Sequence, residues 1–417
     1  MTDADVVAAL RTARGAALLD VLPPYDEARV LAVSEDLRRA GHDPVLVAAA
    51  LTQSRLRSRA VAKFGDRAAS MLFTPDGLEQ ASRPAVAQHH AQRFAAAGLE
   101  HVWDLGCGIG SDAMAFAAAG LAVTAVDADA VTVQTARANL SGLPRAEVCR
   151  ARAQDVGLPE PPAQGHGCWL DPARRVSGVA DSRGRTRRVG GLGRISPSWD
   201  FVRTLHPRVP AVGAKMSPSF PRAQAPDGAE AQWLSYGGEA LEATLWWGDP
   251  VTRPGIGVAV HDGARWHTIP PASLGQADPE RAVEAGEPAA EYLYDPDHAV
   301  LAAGRLDAVQ QEVGGRELWP GSGYLTAERA VTTPFARCLR VREVLPARAK
   351  TLREWARRHD VGALTLKKHG GGVDPEALRA QVRPRGTQQA TLVLTRERHG
   401  SGSRAVAIWV SPAACTP

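Results

Sequence analysis

The stretch that decides the fold of this chain is DLGCGIGSD, which occupies residues 104–112. The apolar run His101–Leu105 leads into it and predicts a buried strand, and the residues Ser111–Ala119 after it predict a helix. The glycines in between allow the backbone to turn sharply and let a ligand approach without a Cβ in the way. The stretch therefore predicts a strand, a glycine-rich turn and a helix that together form a ligand site.

The residues after this turn repeat the pattern. Ala122–Val126 predicts a second buried strand, and Val131–Leu140 predicts a second helix with Asp129 as its N-cap. Such alternation of strands and helices builds a parallel sheet covered by helices, so the central region is predicted to be α/β. Residues 1–95 predict a helical region, within which Phe73–Gly77 predicts a turn-rich loop.

The spacing of the glycines bears on which ligand binds. Dinucleotide sites use G-x-G-x-x-G and place a pyrophosphate at the helix N-terminus. Here the spacing is D-x-G-x-G-x-G, and the carboxylate of Asp104 would repel a pyrophosphate. A carboxylate at this place favours a ligand that bears an ammonium or sulfonium cation. S-adenosylmethionine carries both, so the sequence favours a methyl donor over NAD.

A second acid follows the second strand. Asp127 lies 23 residues beyond Asp104, at the end of Ala122–Val126. A carboxylate there can accept hydrogen bonds from both hydroxyls of a ribose. Because NAD and S-adenosylmethionine both contain ribose, this acid supports a nucleoside ligand without discriminating between the two.

These motifs resemble those of the class I S-adenosylmethionine-dependent methyltransferases, which have a Rossmann-like sheet. The resemblance implies that Asp104 and the turn formed by Gly106, Cys107, Gly108 and Gly110 meet the methionine part of the donor. It implies that Asp127 meets the ribose and that Asp155 meets the adenine. From the residues alone, Cys107 is interpreted as a small turn residue and not as a nucleophile, and a solvated loop acid is the alternative for Asp155.

A further motif, Asp171-Pro172-Ala173-Arg174, follows the predicted strand Gly167–Leu170. It resembles the motif of nucleic-acid amino methylases, in which an Asp, Asn or Ser is followed by two prolines and an aromatic residue. Asp171 and Pro172 agree with that motif and Ala173 and Arg174 depart from it, although a guanidinium plane can also stack on bases. The predicted catalytic residues are Asp171, Pro172 and Arg174, with helix capping as the alternative for Asp171.

Positive charge concentrates in two parts of the sequence. Residues 174–194 contain seven arginines separated by glycines and serines, which predicts an arginine-rich loop suited to phosphates. Residues 333–417 contain 16 Lys/Arg against 6 Asp/Glu, although the whole chain carries only +4. Lys367, Lys368 and His369, together with the arginines at 379, 383 and 385, are predicted to line a phosphate-binding face. An RNA partner is predicted, with a solvated arginine-rich surface as the alternative.

The C-terminal pattern and several short motifs extend the resemblance over nearly the whole chain. Residues 333–417 predict the order β-α-β-α-β-β, a small α+β module. The chain resembles methyltransferases that carry a C-terminal THUMP-like domain, through the motifs FTPDGLEQA (73–81), DPARR (171–175), YLYDPD (292–297), TPFAR (333–337) and LTLKKHG (364–370). THUMP domains proper bind RNA in enzymes that modify tRNA and rRNA, so the resemblance implies an RNA substrate. The predicted regions are a helical region (1–95), a donor-binding domain (96–250), a connecting α+β region (251–332) and a basic THUMP-like domain (333–417).

Composition excludes several classes of protein. With 44% hydrophobic and 23% charged residues, the chain has the composition of an ordinary globular protein. No apolar window is long enough for a membrane span, and the N-terminus lacks the pattern of a secretory signal. Five scattered cysteines never form a C-x-x-C pair, so neither a disulfide framework nor a metal site is predicted. A cytoplasmic location is expected.

Two other functions remain open on the sequence. In the first, the chain methylates a small molecule or a protein and its basic C-terminal region is incidental. In the second, it is a non-catalytic RNA-binding protein on a methyltransferase scaffold, an alternative suggested by the departures at Ala173 and Arg174. An intact donor site argues against the second alternative.

Overall fold

The computed structural model describes residues 3–159, 163–172, 175–180, 186–188, 195–273, 289–369, 374–399 and 402–413. The chain divides into two compact units. The first comprises Met1–Met216 with Leu245–Thr252, and the second comprises Ser217–Thr244 with Arg253–Pro417.

The first unit begins with helices, as the sequence predicts. Its helices are α1 (Asp3–Leu10), α2 (Ala13–Asp20), α3 (Val30–Arg39), α4 (Pro44–Phe64), α5 (Pro75–Gln80), α6 (Pro84–Ala96), α7 (Ser111–Ala118), α8 (Ala130–Asn139) and α9 (Trp199–Leu205). The long α4 starts where Asp43 accepts hydrogen bonds from the backbone N–H groups of Val45 and Leu46, directly before Pro44. This cap satisfies two of the donors that a helix N-terminus leaves unpaired.

The prediction of a loop at Phe73–Gly77 was partly wrong, because α5 begins inside it. The Thr74 side chain accepts a hydrogen bond from Gly77 N at 3.0 Å, and Pro75 is the first helical residue. A side-chain cap and a proline in the first turn both favour a helix start, although each also occurs in turns.

A parallel sheet forms the centre of the first unit. Its strands are β1 (His101–Leu105), β2 (Ala122–Asp127), β3 (Ala146–Arg150), β4 (His166–Leu170) and β7 (Ala211–Met216). The strands β5 (Arg175–Ala180) and β6 (Thr186–Arg188) pair with each other as a separate antiparallel sheet. The strand order β3-β2-β1-β4-β7 is parallel throughout. This Rossmann-like order confirms the predicted α/β fold, and it reverses direction between β1 and β4. Open α/β sheets bind ligands at the carboxyl ends of the strands at such a reversal.

Aromatic side chains hold β4 against the helices of the first unit. Trp169 on β4 is fully buried, and its ring lies 4.3 Å from that of His90 on α6 and 5.6 Å from that of Trp246. Trp169 therefore belongs to the core. The core fixes the strand whose end carries Asp171.

The second unit contains the remaining elements. Its strands are β8 (Glu230–Tyr236), β9 (Glu239–Gly248, whose last four residues belong to the first unit), β10 (Gly255–His261), β11 (Trp266–Ala272), β12 (Tyr292–Pro296), β13 (Arg316–Glu317), β14 (Leu325–Ala327), β15 (Ala336–Pro346), β16 (Val361–Lys368), β17 (Gln388–His399) and β18 (Gly402–Pro412). Its helices are α10 (His298–Ala303), α11 (Leu306–Val313), α12 (Ala349–Arg358) and α13 (Pro375–Val382).

The C-terminal part of the second unit has the predicted order β-α-β-α-β-β. Strands β15 to β18 belong to a seven-stranded sheet with the order β13-β14-β12-β15-β18-β17-β16. Helices α12 and α13 cover one face of it and bury Leu352, Trp355, Leu378 and Val382. The apolar residues of α12 lie on one side and its arginines on the other, so the helix packs on the sheet with a basic face outward.

Two properties hold for the residues that the structure describes. None of their helices combines the length and the apolar composition that crossing a bilayer requires. No group of three or more His, Cys, Asp and Glu side chains among them is placed to hold a metal ion.

Candidate donor and acceptor site

The glycine-rich turn brings the predicted donor and acceptor motifs together. Gly106, Gly108 and Gly110 have φ of 100°, 56° and 87°, a left-handed backbone that side chains with a Cβ disfavour. A Cβ added at Gly106 would lie 3.1 Å from the backbone oxygen of Asp171. The turn also depends on β2, because Val126 O accepts hydrogen bonds from Gly106 N and from Cys107 N at 2.8 and 3.0 Å. Cys107 is a buried turn residue here.

Asp104 is a buried carboxyl group without a partner. It is 1% exposed, and neither of its side-chain oxygens has a hydrogen-bond partner within the described residues. Burial raises the pKa of Asp104 well above its usual value, and the neighbouring carboxylates of Asp112, Asp171 and Asp127 raise it further. A buried polar group normally has a partner, so this carboxyl group fits a ligand that brings a cation or a hydrogen-bond donor.

Asp127 lies on the other side of the turn with part of its acceptor capacity in use. Its Oδ2 accepts a hydrogen bond from Gly108 N at 3.2 Å, and its Oδ1 accepts one from Asp129 N at 2.9 Å. Burial raises the pKa of Asp127, while these backbone hydrogen bonds lower it. A carboxylate has about four acceptor positions, so capacity for two hydroxyl donors remains. Asp129 caps α8 as predicted, accepting from Thr132 N at 2.8 Å.

The remaining predicted residues are placed as follows. Asp155 ends a short 3-10 turn, Ala153–Asp155, after β3, and its side chain is exposed. Pro172 is buried directly after Asp171. Arg174 and Ala173 lie outside the described residues, as does most of the arginine-rich stretch 174–194.

The side chain of Asp171 is held by a lysine that the sequence analysis did not single out. Lys215 on β7 donates from Nζ to Asp171 Oδ2 at 2.8 Å and to Ser82 Oγ at 3.2 Å. The Lys215 side chain is 8% exposed and that of Asp171 is 29% exposed. Asp171 therefore holds a partly buried ion pair at the strand end and does not cap a helix through that contact. The signal in the sequence was a lysine within the otherwise apolar strand Ala211–Met216.

Asp112 and His90, which were not predicted as site residues, extend the hydrogen bonds made by Lys215 and Ser82. Asp112 at the start of α7 accepts hydrogen bonds from Ser82 Oγ at 2.7 Å and from His90 Nδ1 at 2.8 Å. Burial alone raises the pKa of Asp112, but the hydrogen bond and charge of His90, the charge of Lys215 and the hydrogen bond from Ser82 together outweigh it, and the pKa is lowered. Ser82 is thus shared between Lys215 and Asp112. The resulting chain of contacts connects α6 and α7 to the strand that carries Lys215.

A second, half-buried lysine lies near the acceptor motif. Lys63 on α4 donates from Nζ to the backbone oxygens of Leu78 and Glu79, at 2.9 and 3.1 Å, and so holds the end of α5. Burial, with the charge of Lys215 next in effect, lowers the pKa of Lys63 to about 8. Lys63 and Lys215 therefore both lie close enough to Asp171 for their charges to interact with its carboxylate.

In the second unit, the structure divides the predicted phosphate-binding face into two. Asp295 on β12 accepts a hydrogen bond from Lys367 Nζ at 2.6 Å and one from His369 Nε2 at 2.8 Å. These hydrogen bonds lower the pKa of Asp295 although burial opposes them. Three strands separate β12 from β16 in the sheet, so the sheet curls to allow this contact. Lys367 and His369 are thereby engaged at the carboxyl end of β16, whereas Arg383 and Arg385 lie near its amino end.

Three family models match parts of the chain. A methyltransferase domain matches residues 102–169, and a THUMP domain-like model matches residues 336–412. A domain of unknown function matches residues 3–60. The methyltransferase match ends on β4, two residues before Asp171, and the THUMP-like match runs from β15 to the end of β18.

Relatives and a solved structure cover most of the chain. Two curated relatives, from Mycobacterium tuberculosis strains CDC 1551 and H37Rv, are 29% identical over 366 residues, which is 86% of this chain and 95% of theirs. Both are named as uncharacterized S-adenosylmethionine-dependent methyltransferases. A crystal structure of a candidate methyltransferase from Porphyromonas gingivalis W83 has a TM-score of 0.66 at 19% identity, covering 94% of this chain and 100% of that one. These matches confirm the predicted resemblance: the chain has a methyltransferase domain and a C-terminal THUMP-like domain, and over most of its length it is similar to S-adenosylmethionine-dependent methyltransferases.

Proposed function

We propose that this chain transfers a methyl group from S-adenosylmethionine to a nucleotide of RNA. The observation that supports the proposal is that the buried carboxyl group of Asp104 has no hydrogen-bond partner within the described residues, and that the glycine-rich turn after it approaches Asp171, since a Cβ added at Gly106 would lie 3.1 Å from the backbone oxygen of Asp171. The RNA part rests on the THUMP-like domain and on the excess of Lys and Arg in residues 333–417.

The donor-binding role belongs to residues at the carboxyl ends of β1, β2 and β3. Asp104 would face the positive charge of the donor, Asp127 the ribose and Asp155 the adenine. Bound S-adenosylmethionine supplies a methyl group that its sulfonium already makes strongly electrophilic. The protein's own contribution is therefore alignment of the acceptor and exclusion of water.

The acceptor role belongs to Asp171, with Pro172 beside it. Lys215 holds the carboxylate of Asp171 in place. Because a carboxylate has about four acceptor positions, it can in addition accept a hydrogen bond from an amino N–H of the acceptor. That hydrogen bond would orient the nitrogen lone pair towards the methyl group. Lys215 acts on the acceptor through Asp171 and is a positioning residue.

We expect the affinity for S-adenosylhomocysteine to rise with pH. Because burial and neighbouring carboxylates raise the pKa of Asp104, the ligand-free carboxyl group keeps its proton to a higher pH than an ordinary carboxyl group does, and a cationic ligand must displace that proton. Below this pKa, affinity should rise by up to about tenfold per pH unit. Calorimetric titrations in buffers of different ionisation enthalpy measure the released proton. The dependence should be lost in Asp104→Asn, and a wild-type affinity that does not change with pH would contradict the assignment.

The test of the proposed function is transfer of a tritiated methyl group to RNA. The purified chain is incubated with the labelled donor and total RNA from a cell extract. In separate reactions, it is incubated with the labelled donor and the protein or the small-molecule fraction of that extract. Label in RNA that requires Asp171 supports the proposal, with Asp171→Ala as the inactive control that still binds the donor. Label only in protein or small molecules would refute the RNA assignment. No label anywhere, despite donor binding, would favour the non-catalytic alternative.

A further inference from the structure

We propose that a cavity at the amino end of β16, lined by arginines, binds a phosphate group of the RNA substrate. The inference rests on the proposed function, since it names the part of the chain that anchors the same substrate. The cavity has a volume of about 890 Å³. Its lining includes Arg353, Arg357, Asp360, Gln381, Arg383 and Arg385.

The four arginines that line the cavity come from α12 and from the end of α13. Arg353 and Arg357 are four residues apart on α12 and therefore lie on the same face of the helix. Arg383 is the C-cap of α13, with a left-handed backbone at φ 48°, and Arg385 follows it. The two helices pack together over Leu352 and Val382. The core of the module thus fixes the distance between the two backbone segments that carry these arginines.

The guanidinium groups keep donors available for a ligand. Arg353 donates from Nη2 to Gln381 O at 2.7 Å, and Arg383 donates from Nε to Ala380 O at 3.2 Å. Each contact uses one of the five N–H donors of a guanidinium. The side chains of Arg357 and Arg385 are exposed and have no hydrogen-bond or ion-pair partner in the described part of the chain.

The acid at the rim does not neutralise this charge. Asp360, the acidic residue among those described as lining the cavity, accepts hydrogen bonds from the N–H and the hydroxyl of Thr387. Its backbone is also constrained, because a Cβ added at Gly386 would lie 2.0 Å from Asp360 O. Asp360 therefore closes a turn. Because one carboxylate stands against four arginines in the lining, the cavity keeps an excess of positive charge.

Phosphate is the ligand chemistry that fits this arrangement. A guanidinium group binds two phosphate oxygens through two parallel hydrogen bonds. Several guanidinium groups around one concave site therefore favour a phosphate that carries two negative charges or that two guanidinium groups contact at once. The volume lies in the range of sites that enclose a small organic ligand, so it accommodates a nucleotide as well as a bare phosphate. The phosphate can come from the backbone of an RNA or from its end, and the experiment distinguishes the two.

The test compares two pairs of charge reversals in the full chain. Arg357→Glu with Arg385→Glu removes two cavity arginines. Arg358→Glu with Arg337→Glu is the matched control, because it changes the net charge equally, also affects the last turn of α12 and lies outside the cavity lining. Circular dichroism and thermal unfolding verify that both variants fold. The probe is a 3′-labelled single-stranded RNA of about twelve nucleotides, with either a 5′-phosphate or a 5′-hydroxyl, measured by fluorescence anisotropy.

We expect the cavity variant to bind RNA at least tenfold more weakly and the control to lose less than threefold. The slope of log affinity against log salt should fall by about two in the cavity variant. A preference for the 5′-phosphate that disappears with the cavity arginines identifies the chain end, and an equal loss for both RNAs identifies the backbone. Equal affinities of the two variants, or no RNA binding by the wild type, would overturn the inference. Cavity-dependent binding without any methylation would instead refute the proposed reaction and leave the cavity as an RNA site.

Discussion

Replacement of Asp104 by Asn is expected to weaken binding of S-adenosylhomocysteine by about 100-fold, which corresponds to about 2.7 kcal/mol. Asparagine has the same shape but no charge, and one of its two polar atoms is a donor that would face the cation of the ligand. Hydrogen bonds to charged groups contribute about 1.5–3 kcal/mol, and the burial of Asp104 places it at the upper end of that range. Calorimetry of both proteins at neutral pH measures the difference.

The same substitution should stabilise the ligand-free chain. Because the folded state raises the pKa of Asp104, the folded chain retains a proton that the unfolded chain releases, and stability falls as pH rises above about 4. Asparagine removes this dependence, so the melting temperature of the variant should exceed that of the wild type by more at pH 7 than at pH 4. Asp127→Asn is the control, with an expected affinity loss of about tenfold or less, because ribose hydroxyls are neutral partners. Equal losses for the two variants would contradict the role assigned to Asp104.

Replacement of Asp171 by Ala is expected to lower kcat by about 100- to 1,000-fold, the range found when one group that orients the reacting atoms is removed. Lys215→Met, which keeps the volume but loses the ion pair, should lower kcat by about 10- to 100-fold. Donor affinity should change by less than threefold in both variants, since neither side chain belongs to the donor-binding set. Steady-state kinetics with the labelled donor and the RNA that accepts label in the transfer assay measure kcat and the KM for the donor.

A double-mutant cycle tests whether Lys215 acts through Asp171. If it does, the double variant Asp171→Ala with Lys215→Met should be no slower than Asp171→Ala alone, because the positioned group is already absent. Additive losses would show that Lys215 contacts the acceptor directly. A fall in donor affinity in the Lys215 variant would point to a structural role instead, through the contact of Lys215 with Ser82.

The sequence by itself determined the features that depend on neighbouring residues. The turn at residues 104–112 needs glycines where the backbone is left-handed. The positions of Asp104 and Asp127 were predictable because these acids lie at the carboxyl ends of the apolar strands β1 and β2. Helix starts at Asp43 and Asp129 were also predictable, since a capping side chain acts within three residues. The alternation of strands and helices identified the α/β fold for the same reason, because periodicity is local.

Tertiary structure decided which distant residues meet. Lys215 reaches Asp171 and Ser82, which lie 44 and 133 residues away in the sequence, and only the order of strands in the sheet brings these side chains together. Lys367 and His369 were predicted to face phosphate, but the curled sheet pairs them with Asp295 instead. The free energy of a buried ion pair, or of a buried carboxyl group without a hydrogen-bond partner, depends on the residues that surround it. Those residues come from distant parts of the chain, so no local sequence pattern contains this information.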